Sequence, residues 1–599
     1  MDEFFEHLKQ RKLVQWALAY IAAAFALIQV LDIVGQQFAW PDAARRGITV
    51  ALGVGFFVTA VLAWYHGERG AQRITGTELL ILALLLTIGG ALLWRLAPAS
   101  ATSPPATGEA ALLPATASVI PHKSIAVLPF TDLSPGHDQE YFSDGMAEEI
   151  LNALAKVKDL KVAGRTSSFF FKGKNEDLRN VGKALAVANV LEGSVRKQGD
   201  KVRITAQLIQ AEDGYHLWSE SYDGDLSDVF ALQERIGRAI TEKLEVTLGD
   251  SQQRLVPVAT TNPEAYALYL QASGIFNRRE GPRFHDAIAQ LEQALKLDPN
   301  FARAHSRLAA LMSVAPIYTK VDAALALKSV EEHAHRASEL DPTLAEPYAA
   351  LGTAFSYHRR YLEARDAVER AIALDASDTT AVLWYALELV TNGYVKQGYV
   401  ELDRLLIIDP MMPNALLWRG MGYAYDGDMV KAEQLLQRAS DAKLAFAGLG
   451  LSFVTQHRGK QADAIAQLST AFKALDPSLP DGAADVLAVG VLGDAPSHAT
   501  AFDWVDKYIA GKPQTVSGIV AYALIRMGAP ARALAITKDH TTTNDPGLLS
   551  IIWSSYGREA RTRPEFPEYV RTLGLTAVWE RYGPPDFCQK SPSGDYTCE

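Results

Sequence analysis

The chain has 599 residues, 48% of them hydrophobic and 21% charged. That length exceeds what one hydrophobic core organises, so several domain-sized units are expected. A net charge of −11 and a pI near 5.7 argue against a nucleic-acid partner, because phosphate binding needs clustered Lys and Arg.

The first hundred residues are strongly apolar. Leu13–Leu31 and Gly47–Tyr65 are close to the ~20 residues a helix needs to span a bilayer, and 79–94 is a shorter third segment. Asp32 follows the first of them and suits the interface. Lys9, Arg11, Lys12, Arg69 and Arg73 fall on one side, against Arg45, Arg46 and Arg95 on the other. The excess predicts a cytoplasmic N-terminus (1–12), with three spans inside 13–96 and the remaining chain outside the cytoplasm, as in a bacterial inner-membrane protein facing the periplasm. Residues 97–121, rich in Ala, Pro, Ser and Thr, read as a tether.

From Ser124 the pattern becomes that of a small α/β sandwich over 122–250. A strand is predicted at Ser124–Phe130, a helix after a Ser143/Asp144 cap, and a short strand at Leu160–Ala163. A loop follows, then a helix at Leu178–Ala188. Val190–Lys197 and Lys201–Ile209 flank Gly199-Asp200 as a hairpin, Tyr215–Tyr222 adds a strand, and Val229–Leu248 reads as an amphipathic helix. The runs 125–130 (IAVLPF), 164–174 (GRTSSFFFKGK), 191–195 (LEGSV), 202–209 (VRITAQLI), 216–218 (HLW) and 230–233 (FALQ) resemble the TolB N-terminal-like (FlgO-like) domain. That resemblance implies a bacterial envelope protein, with relatives beside tetratricopeptide repeats, in CadC-like regulators and next to adenylate cyclase domains. It implies no catalysis by the domain itself.

Between Asn262 and Pro477 the chain repeats. Leu-Asp-Pro or a near variant recurs at Asp298, Asp341, Asp375, Asp409 and Asp476. The sets Gly352/Ala364/Ala371, Ala386/Gly398/Leu405 and Gly420/Ala432/Ala439 share internal offsets of 12 and 19 and begin 34 residues apart. This predicts an all-α solenoid of about six helix pairs over 262–477 resembling tetratricopeptide repeats, with Tyr348, Leu351 and Phe355 in the seam. Degenerate pairs are expected over 478–560, and 561–599 belongs to an aromatic C-terminal cap covering the last repeat face. Thr353, Ser356, Leu387, Leu417 and Met421 are the candidates for a concave partner-binding groove.

Cys588 and Cys598 are the only cysteines. They suit a disulfide if the C-terminus lies in an oxidising compartment, and stay free thiols otherwise.

Catalytic signals are weak. No GxxxxGK[ST], HExxH, GxSxG or CxxC occurs. Ser194–Lys197 is a lone SxxK on a predicted strand. His333 and His335 stand two apart on a helix, which points their rings away from each other and fits solvated or seam positions better than a metal site. Asp223, Asp225 and Asp228 read as charges at a helix N-terminus, and Phe169–Phe171 as strand core beside solvated lysines. No catalytic residue, metal or cofactor is expected. The whole reads as a membrane-anchored, non-enzymatic scaffold for protein or peptide partners. The alternative is a CadC-related membrane signalling receptor that lacks its own DNA-binding or cyclase domain.

Overall fold

The computed structural model describes residues 120–246, 255–256, 258–319, 321–511, 515–539, 541–543, 550–592 and 594–599. The predicted spans 13–31, 47–65 and 79–94, and nearly all of the tether, lie outside these residues. Among the described residues no helix is long and apolar enough to cross a membrane. The expected fold class, with its three-helix transmembrane segment, is therefore corrected to an α/β domain followed by an all-helical solenoid.

The α/β domain is built on a six-stranded sheet in the order β3-β1-β4-β5-β6, with β2 beside β4. Its elements are β1 (Ser124–Val127), β2 (Thr131–Asp132), α1 (Glu140–Ala155), β3 (Lys161–Val162), α2 (Arg165–Phe169), α3 (Leu178–Leu185), β4 (Asn189–Gln198), β5 (Lys201–Gln210), β6 (His216–Asp225) and α4 (Val229–Lys243). β1 is buried throughout because β3 and β4 flank it in parallel. Its alternation sorts the two faces: Ile125 and Val127 meet α1 and α4, and Ala126 meets α3.

Three expectations shift here. The strand expected over 124–130 divides at Pro129, which has no N–H for a ladder. The first helix begins at Glu140 rather than after Ser143/Asp144, and both of those residues are buried inside it. Asp132 orders the preceding loop by accepting from the N–H groups of Ser134 and Gln139 at 2.8 Å each. The predicted loop after Ala163 contains helix α2, and the β4–β5 hairpin pairs over ten rungs.

Six helix pairs fill 263–475: α5 (Pro263–Asn277) with α6 (Phe284–Leu297), α7 (Ala302–Tyr318) with α8 (Ala323–Leu340), and α9 (Glu346–Tyr357) with α10 (Tyr361–Leu374). Then come α11 (Thr379–Thr391) with α12 (Val395–Ile408), α13 (Pro413–Tyr425) with α14 (Met429–Asp441), and α15 (Gly448–His457) with α16 (Gln461–Leu475). Small residues at the repeating positions permit this approach. A Cβ on Gly398 would lie 2.5 Å from Val390 Cγ2 and 2.9 Å from the Ala386 carbonyl oxygen.

After the sixth pair come α17 (Ala483–Leu492), α18 (Ala495–Ala510), β7 (Thr515–Ser517), α19 (Gly518–Arg526), α20 (Pro530–Asp539) and β8 (Thr541–Thr543), with β7 parallel to β8. The C-terminal segment holds α21 (Arg558–Arg561), α22 (Phe566–Thr572), α23 (Leu575–Tyr582), β9 (Cys588–Lys590) and β10 (Tyr596–Cys598).

Candidate functional site

The inner side of the solenoid is the natural place for a site, because the first helices of successive pairs line it. In this chain it is filled from within, at two places.

The first is the α/β domain, whose helix α1 lies against α5 and α7. Glu149 forms a buried ion pair with Arg303. Glu148 accepts from Arg165 Nε at 2.8 Å and from Asn277 Nδ2 at 2.9 Å, while Arg307 donates to Asn277 Oδ1 at 3.0 Å. Burial raises the Asp144 carboxyl, and the opposing influence is Lys172, 2.6 Å away. The same domain also meets the loop after α12. There Asp409, fully buried, accepts from the Ser167 N–H at 2.7 Å and from the Ser167 hydroxyl. Gly164 N–H donates to the Ile408 carbonyl at 2.8 Å. A five-residue helix such as α2 has too few internal bonds to stand alone, and these distant partners satisfy its N-terminus.

The second filling segment is the C-terminal one. Trp553 and Trp579 are buried, and their indole N–H groups donate to the Thr391 and Asn392 carbonyls at 2.8 and 2.9 Å. Those carbonyls sit at the end of α11, where the helix leaves them without internal donors. The clamp continues along the α11–α12 turn. Tyr394 Oη donates to the Gly583 carbonyl at 2.6 Å, and Asp586 accepts from the Lys396 N–H at 2.7 Å. Tyr582 Oη donates to Asp366 on α10 at 2.6 Å. The segment does pack on α20, and it also crosses back to the third and fourth helix pairs. Cys588 and Cys598 are joined by a disulfide across the β9–β10 hairpin, and the hairpin's Tyr596 packs on Trp579 with ring centroids 4.9 Å apart.

The five groove candidates fall in this filled region. Thr353, Ser356, Leu387, Leu417 and Met421 are 3%, 5%, 9%, 0% and 1% exposed, so none forms an open surface. Thr353 bonds back to the Ala349 carbonyl of its own helix at 2.9 Å. Leu387 and Met421 do line a small apolar cleft with Val390, Trp418 and Tyr425, bordered by Ser550 of the C-terminal segment. Sequence reasoning missed Glu388, which lies beside Leu387 at 4% exposure. Burial pushes its carboxyl up to about 7, against Ser356, Asn392 and Arg365. A lone acid in an apolar helix run was the available signal.

The weak motifs resolve structurally. Ser194 and Lys197 sit on β4, with Ser194 opposite Thr205 and Lys197 reaching Gln139 Oε1 at 3.1 Å. Asp228 stands at the N-cap of α4 and Asp225 at the start of the short 3-10 turn before it, as expected of helix N-terminal charges, whereas Asp223 lies within β6; Asp223 and Asp225 also pair with Arg203 and Lys201 of β5. Phe169 lies on α2 under Arg165, in place of the expected strand core. His333 meets His305, a residue the sequence did not single out. Among the described residues no group of three or more His, Cys, Asp or Glu is placed to hold a metal ion.

Residues 121–239 match the family described as HilA/YgeH-like transcriptional regulator, second domain. The match falls on the segment likened above to the TolB N-terminal-like domain and carries a different description. A curated relative, "Putative adenylate cyclase 3" of Rhizobium meliloti (strain 1021), is 36% identical over 247 residues, which are 41% of this chain and 42% of the relative. The chain therefore spans less than half the length of that relative. Among solved structures, the chain is similar to PilF of Pseudomonas aeruginosa, with 18% identity, a TM-score of 0.28, and 36% of this chain and 93% of the other covered. It is also similar to the APC/C hetero-tetramer Cut9-Hcn1, with 13% identity, a TM-score of 0.35, and 95% and 96% covered. The helix-pair solenoid itself stands on the spacing and packing described above.

Proposed function

We propose that this chain is a non-enzymatic scaffold that recognises protein or peptide partners through its helix-pair solenoid. The supporting observation is that the solenoid already holds extended and helical polypeptide, its own, by the means such a surface would use for a partner. Indole N–H groups and a carboxylate meet the polar groups at the α11–α12 turn, and aromatic rings enter between the helices. On this reading the cleft at Leu387 and Met421 is where a partner's apolar side chain enters when the C-terminal segment is displaced, with Thr353, Ser356 and Leu417 buried elsewhere on the first helices of the third and fifth pairs. The Cys588–Cys598 disulfide supports a location outside the cytoplasm, where such bonds persist.

The test uses the full chain. A labelled peptide of residues 575–587 is titrated against the wild type, Trp579→Ala, and Trp579→Ala carrying Met421→Lys. Binding to Trp579→Ala alone, with the other two at least ten-fold weaker, supports the reading. Equal or absent binding across the three refutes it.

A second reading is regulatory, and the observation favouring it is the match of residues 121–239 to a domain of a transcriptional-regulator family. The chain would then relay an external binding event to a separate effector. Loss of a transcriptional response on deletion, restored by a chain with an intact α/β domain and a disrupted α11–α12 turn, distinguishes this from scaffolding.

A further inference from the structure

Strand β6 is the last strand of the sheet, and among the described residues no strand pairs with its outer side. A free edge of 10 residues is a template for further pairing, which proteins usually blunt with lysine, proline or a covering segment. β6 contains neither lysine nor proline, and Leu217, Ser219, Glu220, Ser221 and Asp223 are exposed. The direction of its free groups follows from the ladder. Leu226 N–H donates to the Asp200 carbonyl at 2.7 Å, directly opposite in register. Antiparallel pairs alternate, so Gly224, Tyr222, Glu220 and Trp218 bond to β5, while Asp225, Asp223, Ser221 and Ser219 turn their N–H and C=O groups outward.

We propose that β6 is a self-association edge, which pairs antiparallel with β6 of a second copy of this chain about a two-fold axis at Ser221 and joins the two sheets into one. A two-fold contact of this kind is self-complementary, so every pairing occurs twice. An axis at Ser221 aligns Trp218–Gly224 in full. Axes at Glu220 or Asp223 would set like charges directly opposite, and axes nearer either end shorten the ladder. In the favoured register Ser219 stands opposite Asp223 of the second copy, Glu220 opposite Tyr222, and Trp218 opposite Gly224.

Charge complementarity points to this occupant. Arg235 of α4 is exposed, lies 4.8 Å from the centroid of the Tyr222 ring, and has no carboxylate partner among the described residues. Glu220 accepts from the Tyr222 hydroxyl at 2.9 Å and has no cationic partner among them. Directly opposite residues share a face with their Cβ atoms about 5 Å apart, so each Glu220 comes beside the other copy's Tyr222 and within reach of the Arg235 above that ring. The other two acids of the strand are already matched, Asp223 by Arg203 and Asp225 by Lys201. Gly224 has no room for a side chain on its own sheet, since a Cβ there would lie 3.1 Å from Leu232 Cδ1. The Trp218 ring of the second copy covers that position, as aromatic residues do for glycines at sheet edges.

The test is sedimentation equilibrium of the full chain over a concentration series, with circular dichroism confirming the fold of each variant. Wild type is expected to show a monomer–dimer equilibrium in the micromolar range. Arg235→Glu, which sets two carboxylates together across the axis, should weaken it roughly ten-fold or more, and adding Glu220→Arg should restore it. Mild oxidation reads the register. Ser221→Cys should give a covalent dimer, because Cα atoms about 5.5 Å apart in a hydrogen-bonded pair lie within the span of a disulfide. Ser227→Cys, equally exposed but remote from its counterpart, should not. A wild-type chain that stays monomeric, a dimer unaffected by Arg235→Glu, or equal cross-linking of the two cysteine variants overturns the proposal.

Discussion

Asp409 Oδ1 accepts a hydrogen bond from the backbone N–H of Ser167, 2.7 Å away and 242 residues earlier in the chain. The other repeat-end aspartates behave differently. Asp298, Asp341, Asp375 and Asp476 each accept from the N–H two residues on, at Asn300, Thr343, Ser377 and Ser478. At the fourth pair that N–H belongs to Met411, and it donates instead to the Ser167 hydroxyl at 2.7 Å. Ser167 is thus inserted into a repeat turn, and the turn becomes the bolt between the two domains.

Ser167→Ala is expected to leave the Met411 N–H and part of Asp409 unsatisfied in a buried place, a cost of about 1–3 kcal/mol. Gly164→Ala is expected to act on the same bolt, because its Cβ would lie 2.5 Å from Asp409 Cβ and Cγ. Denaturant unfolding of each single variant and the pair checks this. Strictly additive effects would show that the two positions do not share one contact.

Glu388 makes stability depend on pH. Burial pushes its carboxyl up to about 7 in the folded chain, from an ordinary value near 4.5 when unfolded. Below about pH 4.5 it is protonated in both states and imposes no electrostatic cost. As pH rises to 7 the unfolded chain ionises first, so the folded state loses up to about 3 kcal/mol. Glu388→Gln keeps an acceptor for Asn392 Nδ2 and should remove that loss. Its advantage over the wild type in urea midpoints should grow between pH 5 and pH 8; a constant difference would refute the assignment.

Arg303 and Glu149 are expected to behave as a buried pair. Removing Arg303 alone leaves a carboxylate at 5% exposure, which costs about 3–5 kcal/mol. Replacing both, as in Arg303→Met with Glu149→Leu, should recover most of that loss. A double variant no better than Arg303→Ala would mean that the pair itself drives docking of α1.

Breaking the Cys588–Cys598 link should cost about 3 kcal/mol in the chain-entropy account, for a sequence separation of 10. The effect should be local. Hydrogen exchange at 575–598 should accelerate in Cys598→Ser, while the amides of α1 stay protected. Uniform acceleration across both regions would place the cap inside one cooperative unit with the rest.

Much of the architecture was legible because it is written in short-range spacing. The alternation over Val202–Leu208 marks a half-buried strand, and the offsets among Gly352, Ala364 and Ala371 mark paired helices, since side-chain direction repeats every two or 3.6 residues. Helix α2 was not legible, because its start depends on Asp409 rather than on neighbours. The groove residues were placed on the correct helices, but their exposure was misjudged, because spacing says which face a residue is on and nothing about what covers that face. His305 was invisible for a related reason: its partner is His333, on the next helix of the pair.

By itself the sequence determined the kinds of element, their order and the 34-residue repeat, because periodicity, turn residues and small-residue spacing act over a few residues at a time. Only the tertiary structure decided that the inner surface is occupied, by α1 and α2 at one place and by Trp553 and Trp579 at another. Those contacts join residues 154 to 242 positions apart. Such pairings depend on solenoid curvature, which sums small rotations between successive repeats.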